Sequence, residues 1–406
     1  VDLTKSETNN AIVTRLKNVR SHPNADRLKL ATVLGTQVVV GLDSKEDDLV
    51  VYFDSNLRLS HKYLHHNNLY SRKEMNSDNT MKGYFGKNGR VRSQKFRGEV
   101  SNGFVADLWI LTNIPGVGEN LFEEGTEFTH INGIEICSKY VAPVGRGGYT
   151  PRNKITRIKS AMFHRHWDTK QLMRELKSIP EGATCYIEEK IHGTSGRTGR
   201  VLCSTNRPWW KFWKPKQEWK VISGTRRVDN INFHIPKVRE EIEKKVAPHL
   251  RKGETIYYEI YGYDINGSMI QNGFPYDCRP GEFKCMLYRV CFVNEDGFSI
   301  DLNRKQVYKR AEELGLEKPK VFGNSFWAPL DPLERNHPDY GIGTSEVLKY
   351  YKGKSSLDAG TLREGVVVWF QDKDGNWSCL KHKSEEFLMD QDKKYEKEEG
   401  DVEDNL

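Results

Sequence analysis

The sequence contains no apolar run near the roughly 20 residues that a bilayer-spanning helix needs. Its opening, VDLTKSETNN, also lacks the basic-then-apolar order of a secretion signal. An intracellular protein without a membrane partner is expected, and a monomer is the default state. The seven cysteines (Cys137, Cys185, Cys203, Cys278, Cys285, Cys291 and Cys379) are odd in number and scattered, and none form a CxxC pair. Neither a disulfide framework nor a structural zinc site is indicated. No GxGxxG or GxxxxGK[ST] follows a strand-like run, which leaves out both dinucleotide-binding and P-loop phosphate cradles.

What is present is 406 residues, 37% apolar and 29% charged, enough for two folded domains and a tail. The net charge is +7, but the last 17 residues, DQDKKYEKEEGDVEDNL, set eight acids against three lysines. The body before them therefore carries +12, a balance suited to an anionic partner such as nucleic acid. Short runs such as ATVLG, QVVVGL and DLVVYF, broken by Gly, Asp and Asn, predict a small β-barrel over residues 10–135 after a tail over 1–9. Within it, SHPNADRLKLATV (Ser21 to Val33) resembles the start of the OB-fold appended to aminoacyl-tRNA synthetases. A glycine- and proline-bearing stretch over 136–156 reads as a linker, followed by a second domain over 157–390 and an acidic tail over 391–406.

Between Lys82 and Arg97 the text KGYFGKNGRVRSQKFR has six basic residues, three aromatics and no acid. Cations that track phosphates beside rings that stack on bases make an RNA surface, with Lys82, Lys87, Arg90, Arg92, Lys95 and Arg97 as its contacts. The alternative is a solvated hairpin that buries Tyr84, Phe85 and Phe96. In the second domain MFHRHWDTKQLMRELKSI has helical spacing. Strand runs (CYIEEKIHGTSG, ETIYYEIYGYDI, KCMLYRVCFV, REGVVVWFQD, WSCLKHKS) then alternate with the helical IPKVREEIEKKVAPHL and NRKQVYKRAEELGL. That mixture predicts an α+β fold.

The chemistry concentrates at Lys190-Ile191-His192-Gly193-Thr194-Ser195, where a strand ends in a glycine turn. KxHGTS fixes five positions, and chance would produce it roughly once in ten thousand chains of this length. It resembles the nucleophile motif of the RNA-ligase branch of the lysine nucleotidyltransferases, which also include DNA ligases and mRNA capping enzymes. Further motifs follow in order: TIYYEIYG (Thr255 to Gly262), CMLYRV (Cys285 to Val290), REGVVV (Arg363 to Val368) and CLKHKS (Cys379 to Ser384). The resemblance implies antiparallel sheets flanked by helices, an N-terminal OB domain, and an enzyme that joins an RNA 3′-OH to a 5′-phosphate, at nicks during RNA repair, through lysyl-AMP. ATP and a divalent metal, Mg²⁺ or Mn²⁺, are its implied cofactors.

Roles follow by position. Lys190 is the nucleophile, Glu259 and Glu364 hold the metal, and Lys381 and Lys383, two apart in a strand, grip the nucleotide phosphates. The resemblance implies that Glu188 accepts from the adenine amino group, that Tyr288 stacks on the base with Phe292 as the alternative ring, and that Arg226 contacts ribose or phosphate. Ile191, His192, Gly193 and Ser195 complete the nucleotide-binding set. DNA ligases and capping enzymes carry KxDGxR, whereas this chain has His192 and Ser195 at the two distinguishing positions. Capping with GTP, or RNA binding without catalysis, are the rival readings. The four tryptophans of WWKFWKPKQEW (Trp209 to Trp219) stack on RNA or on each other.

Overall fold

A computed structural model describes residues 1–118, 121–141, 160–205, 216–226, 228–229, 235–328 and 342–396. The linker expected over 136–156 lies largely outside them, as do 397–406 of the acidic tail and 209–215 of the Trp-rich stretch. The described residues fall into two compact units. One comprises residues 1–141 together with the helix Glu385–Glu396; the other comprises residues 160–384. Among them, no helix is long and apolar enough to cross a membrane.

The first unit is mostly strand. Phe104–Asp107, Leu49–Phe53, Ala11–Arg15 and Glu127–Phe128 pair antiparallel in that order, and Lys17–Ser21, Leu28–Val33 and Thr36–Gly41 form a second sheet. Leu3–Thr4, expected within a tail, pairs with His130–Ile131. Period-two alternation divides the apolar residues between two cores. Val13, Val51 and Phe53 face one, while Ile12, Val50 and Tyr52 face the other beside Ala31, Val33 and Val38. A short helix, α1 (His61–His66), starts at Ser60, whose side chain accepts from the Tyr63 amide, and buries Tyr63 and Leu64.

The last described helix, Glu385–Glu396, belongs to this unit, although its first residues were expected in the second domain. Its tie is ionic. Asp392 pairs with Arg90 and accepts from the Ser93 amide at 2.6 Å, and both charged side chains are almost wholly buried. The Arg90 guanidinium also lies 4.5 Å from the centre of the Tyr140 ring. Either charge alone would be stranded in a low-dielectric site, so the two groups hold each other in place.

The second unit contains two five-stranded sheets. In the first the order is Lys170–Gln171, Trp377–Lys383, Gly365–Gln371, Thr184–Lys190 and Val321–Phe326. In the second it is Gln217–Gly224, Thr194–Ser204, Glu254–Gly262, Phe283–Val293 and Ser299–Asp301. Helix α2 (Pro236–Val246) starts on proline, whose fixed φ suits the first turn. Helix α3 (Arg304–Leu314) starts on a reciprocal Asn303–Gln306 cap and ends at Gly315 in the left-handed conformation. Both bury their apolar stripes against Ile256, Tyr258 and Ile260 of the second sheet. Alternation then leaves Glu259 on the other face, away from the helices.

One expected helix is not formed. MFHRHWDTKQLMRELKSI contains the strand Lys170–Gln171 and two 3-10 turns, Leu172–Arg174 and Leu176–Ser178. Its apolar residues serve different cores: Met162 and Phe163 pack with Tyr257 and Cys291, Trp167 with Trp369 and Cys379, and Leu172 with Val366 and Val368. A single helical face cannot reach all three.

Candidate active site

The three residues Ile191, His192 and Gly193 carry the chain from the first sheet of the second unit to the second. Lys190 is the last residue of one strand, and Thr194 the first of the next. Close approach requires glycine at 193, because a Cβ there would sit 2.3 Å from the Ile260 carbonyl oxygen and 2.9 Å from Glu259 Cγ. The turn is held from a second side by residues that motif reading does not reach. The His192 amide donates to Tyr276 Oη at 2.7 Å, Gln271 Nε2 donates to the Gly193 carbonyl at 2.8 Å, and the Phe274 ring meets His192 edge-on. Tyr276 and Asp277 both have positive φ, a costly backbone for such residues. The only sequence signal for this support is the turn-rich QNGFPYD.

Strand register sets three residues side by side: Lys190 opposite Gly365, and Gly365 opposite Lys383. Glu364, directly before that glycine and 2% exposed, bridges the two ammonium groups. It accepts from Lys190 Nζ at 2.9 Å and lies 3.0 Å from Lys383 Nζ, with His192 Nδ1 4.0 Å away. Burial pushes the Glu364 carboxyl up, but Lys190, Lys383 and His192 outweigh it and hold the group well below the usual carboxylate range. Half-buried Lys381 shows the reverse. Burial first, then Lys383, Lys190 and Arg226, bring its pKa down to about 7 against the pull of Glu364.

Glu259 stands across from Ser195 in the neighbouring sheet, where it accepts from the Gly193 amide and the Ser195 hydroxyl, each at 3.1 Å. The motif's own glycine and serine thus orient the second carboxylate. Both carboxylates are hard oxygen donors with about four lone-pair positions each, a chemistry that fits Mg²⁺ or Mn²⁺. Among the described residues there is no cluster of three His, Cys, Asp or Glu arranged around a metal position.

The remaining expected residues are placed as follows. Tyr288 sits in a β-bulge between the residues that pair with Tyr257 and Tyr258, half-buried, with its ring 5.3 Å from His166. Arg226 pairs with Asp168. Glu188 spends its carboxylate inside the protein: Arg304 reaches it through two bonds of 2.7 Å, and Tyr308 donates to it as well. Arg304 in turn donates to the Tyr288 carbonyl at 2.7 Å, so Glu188 positions the strand that carries Tyr288. His166, absent from the motifs, is flanked by Trp167, Tyr257 and Tyr288, and burial followed by Arg289 holds it well below the ordinary histidine range. In the first unit Lys82, Lys87, Lys95 and Arg97 are exposed and Arg92 is half-buried, whereas Arg90 is buried against Asp392. Phe85 is 1% exposed, Phe96 half-buried and Tyr84 40% exposed, so Tyr84 is the most exposed ring beside those cations.

Residues 10–108 match a family model described as an OB-fold domain. No curated protein matches the chain. Among solved structures, the RNA ligase of Naegleria gruberi with PPi is 17% identical with a TM-score of 0.59, covering 94% of this chain and 98% of that one. A mutant of the same ligase with ATP and Mn is 16% identical with a TM-score of 0.58, covering 96% and 99%. A mutant with AMP and Mn is 17% identical with a TM-score of 0.59, covering 94% and 98%. The chain therefore has an N-terminal OB-fold domain and, along nearly its whole length, the fold of these RNA ligase structures.

Proposed function

We propose that the chain is an ATP-dependent RNA ligase that joins an RNA 3′-OH to a 5′-phosphate through a lysyl-AMP intermediate. The observation that carries this reading is the single carboxylate, Glu364, bridging Lys190 and Lys383 at the end of the KIHGTS strand. Lys190 Nζ attacks the α-phosphorus of ATP; a P–N bond forms, the bond to pyrophosphate breaks and a proton leaves the amine. An oxygen of the RNA 5′-phosphate then takes the AMP and frees Lys190. The RNA 3′-OH finally attacks that 5′-phosphorus and AMP departs.

An ordinary lysine is neutral in only about one molecule in 2,500 at pH 7, and lowering its pKa to that point requires about 4–5 kcal/mol. The resting contact with Glu364 works against this, since it stabilises the ammonium form. Glu259 and Glu364 would hold Mg²⁺ or Mn²⁺, which would supply repulsion toward the ammonium and neutralise phosphate charge. Lys381 and Lys383 would grip the phosphates from their shared side of the strand, and Tyr288 would pack against the base. Lys82, Lys87, Arg92, Lys95 and Arg97, with Tyr84, are the proposed RNA surface, a pattern that suits backbone contact without base reading. Nicked RNA is the proposed substrate, by likeness to the ligase branch whose OB domain comes first.

Two measurements test the reading. ATP labelled at the α-phosphate, with Mg²⁺ or Mn²⁺, should leave covalent label on the denatured protein, whereas labelled GTP should not. Labelling by GTP instead would support capping chemistry, and no labelling by either would support a binding protein. Second, ATP binding without divalent metal, so that no proton leaves Lys190, should take up close to one proton at about pH 8, because Lys381 is mostly neutral there and anionic phosphate favours its charged form. Calorimetry in buffers of different ionisation enthalpy reads the uptake, and Lys381→Met should abolish it. ATP affinity should correspondingly weaken as pH rises through and above about 7. Equal proton uptake in the Lys381→Met protein would remove Lys381 from the phosphate site.

A further inference from the structure

The first unit carries a histidine arrangement unrelated to nucleotide chemistry. Helix α1 reads HKYLHH, and His61 and His65 are one turn apart, with ring centroids separated by 5.8 Å. Spacing of i and i+4 puts two rings on one helical face, the geometry by which paired histidines take a divalent ion. His66 follows immediately, about a quarter-turn away, with its ring centroid 5.3 Å from that of His65.

Orientation of the two rings is fixed by the loop that packs beside the helix. His65 Nδ1 contacts the Met75 carbonyl at 2.8 Å. A carbonyl only accepts, so that nitrogen carries the proton and the Nε2 lone pair is left outward. His61 Nδ1 contacts Tyr70 Oη at 2.9 Å, and Tyr70 is 1% exposed. Tyr70 Oη makes no other hydrogen bond among the described residues, so the phenol donates to that nitrogen, and the His61 Nε2 lone pair becomes free when the ring proton shifts to Nδ1. Neither Nε2 makes a hydrogen bond among the described residues. An outer partner on Nδ1 with Nε2 left to coordinate is the arrangement that surrounds metal-bound histidines.

We propose that His61 and His65 form a two-imidazole site for a borderline divalent transition ion, Zn²⁺, Ni²⁺ or Cu²⁺, with water completing its coordination. Imidazole pairs favour these ions over Mg²⁺ and Mn²⁺, which prefer oxygen, so this site and the carboxylates of the second unit select different metals. A bound ion would stabilise the folded first unit in proportion to its occupancy.

The full chain, free of any histidine tag, is titrated with Zn²⁺ at about pH 8. One equivalent should bind, and His61→Gln or His65→Gln should weaken it at least about tenfold. His66→Gln should leave affinity unchanged. With Cu²⁺, electron paramagnetic resonance should show coupling to two nitrogens that disappears in the His61→Gln/His65→Gln double variant. Unchanged zinc affinity in that double variant overturns the proposal, whether the ion then sits on the active-site carboxylates or elsewhere. A loss in His66→Gln as large as in His65→Gln also overturns it.

Discussion

A Lys190→Ala protein should acquire no covalent label from α-labelled ATP under conditions in which the unsubstituted chain is labelled. The expected loss is complete, because the step forms a bond to one nitrogen and no neighbouring amine is equivalent. Lys383 lies on the opposite side of the Gly365 strand, and Lys381 belongs to the next row of the sheet, opposite Val367. Fold loss does not explain such a result, since the Lys190 side chain is 26% exposed at a strand end and alanine removes no core. Lys190→Arg should be equally blank: a guanidinium keeps the charge near Glu364 but does not deprotonate to act as the nucleophile. Label retained in either variant, mapped to another lysine, would end the proposed mechanism.

Glu364 is the second position with a large expected effect, and two opposed consequences must be weighed. Removing the carboxylate lowers the pKa of Lys190, and the neutral fraction rises about tenfold each time that pKa drops by one. It also removes a metal-holding group and lets two cations repel, and losing one preorganised charge-stabilising group typically costs about 10²–10³ in rate. The loss is larger than the gain, so Glu364→Gln should adenylylate at least about tenfold more slowly at saturating ATP. Glu364→Ala should additionally destabilise the fold by about 3–5 kcal/mol, because it leaves partly buried ammonium groups without their counter-charge. Urea unfolding separates the two variants: the amide retains hydrogen bonding to the lysines and should fall between the unsubstituted chain and the alanine protein. A Glu364→Gln protein that labels as fast as the unsubstituted chain would leave the carboxylate a purely structural role.

Much of this site was legible because its chemistry is written in contiguous runs. KIHGTS, EIYG, REGVVV and CLKHKS each place their key residue at a strand end or on an alternating strand, and period two fixes which side chains share a face. The sheet pairing that brings Lys190, Gly365 and Lys383 into one row uses only that local information. Long-range partners were not legible. Glu188 reads as a base contact because nothing nearby in sequence reveals Arg304, 116 positions on, or that the guanidinium would take both of its oxygens. Arg90 reads as one cation among six until Asp392 appears as its buried partner. Residues 162–179 fail for another reason: their apolar spacing fits a helix, yet their side chains are divided among three cores.

The Arg90–Asp392 pair also bears on how the chain is made. Its two charges are 302 positions apart. At the usual translation speed of about 5–20 residues per second, roughly 15–60 s pass between emergence of the arginine and that of its counter-ion. Throughout that interval the nascent first unit exposes an uncovered cation and the face later occupied by the helix Glu385–Glu396. Ribosome-bound chains stalled before that helix should therefore be more protease-sensitive around residue 90 than chains that already carry it, with protection arriving only once Asp392 has emerged.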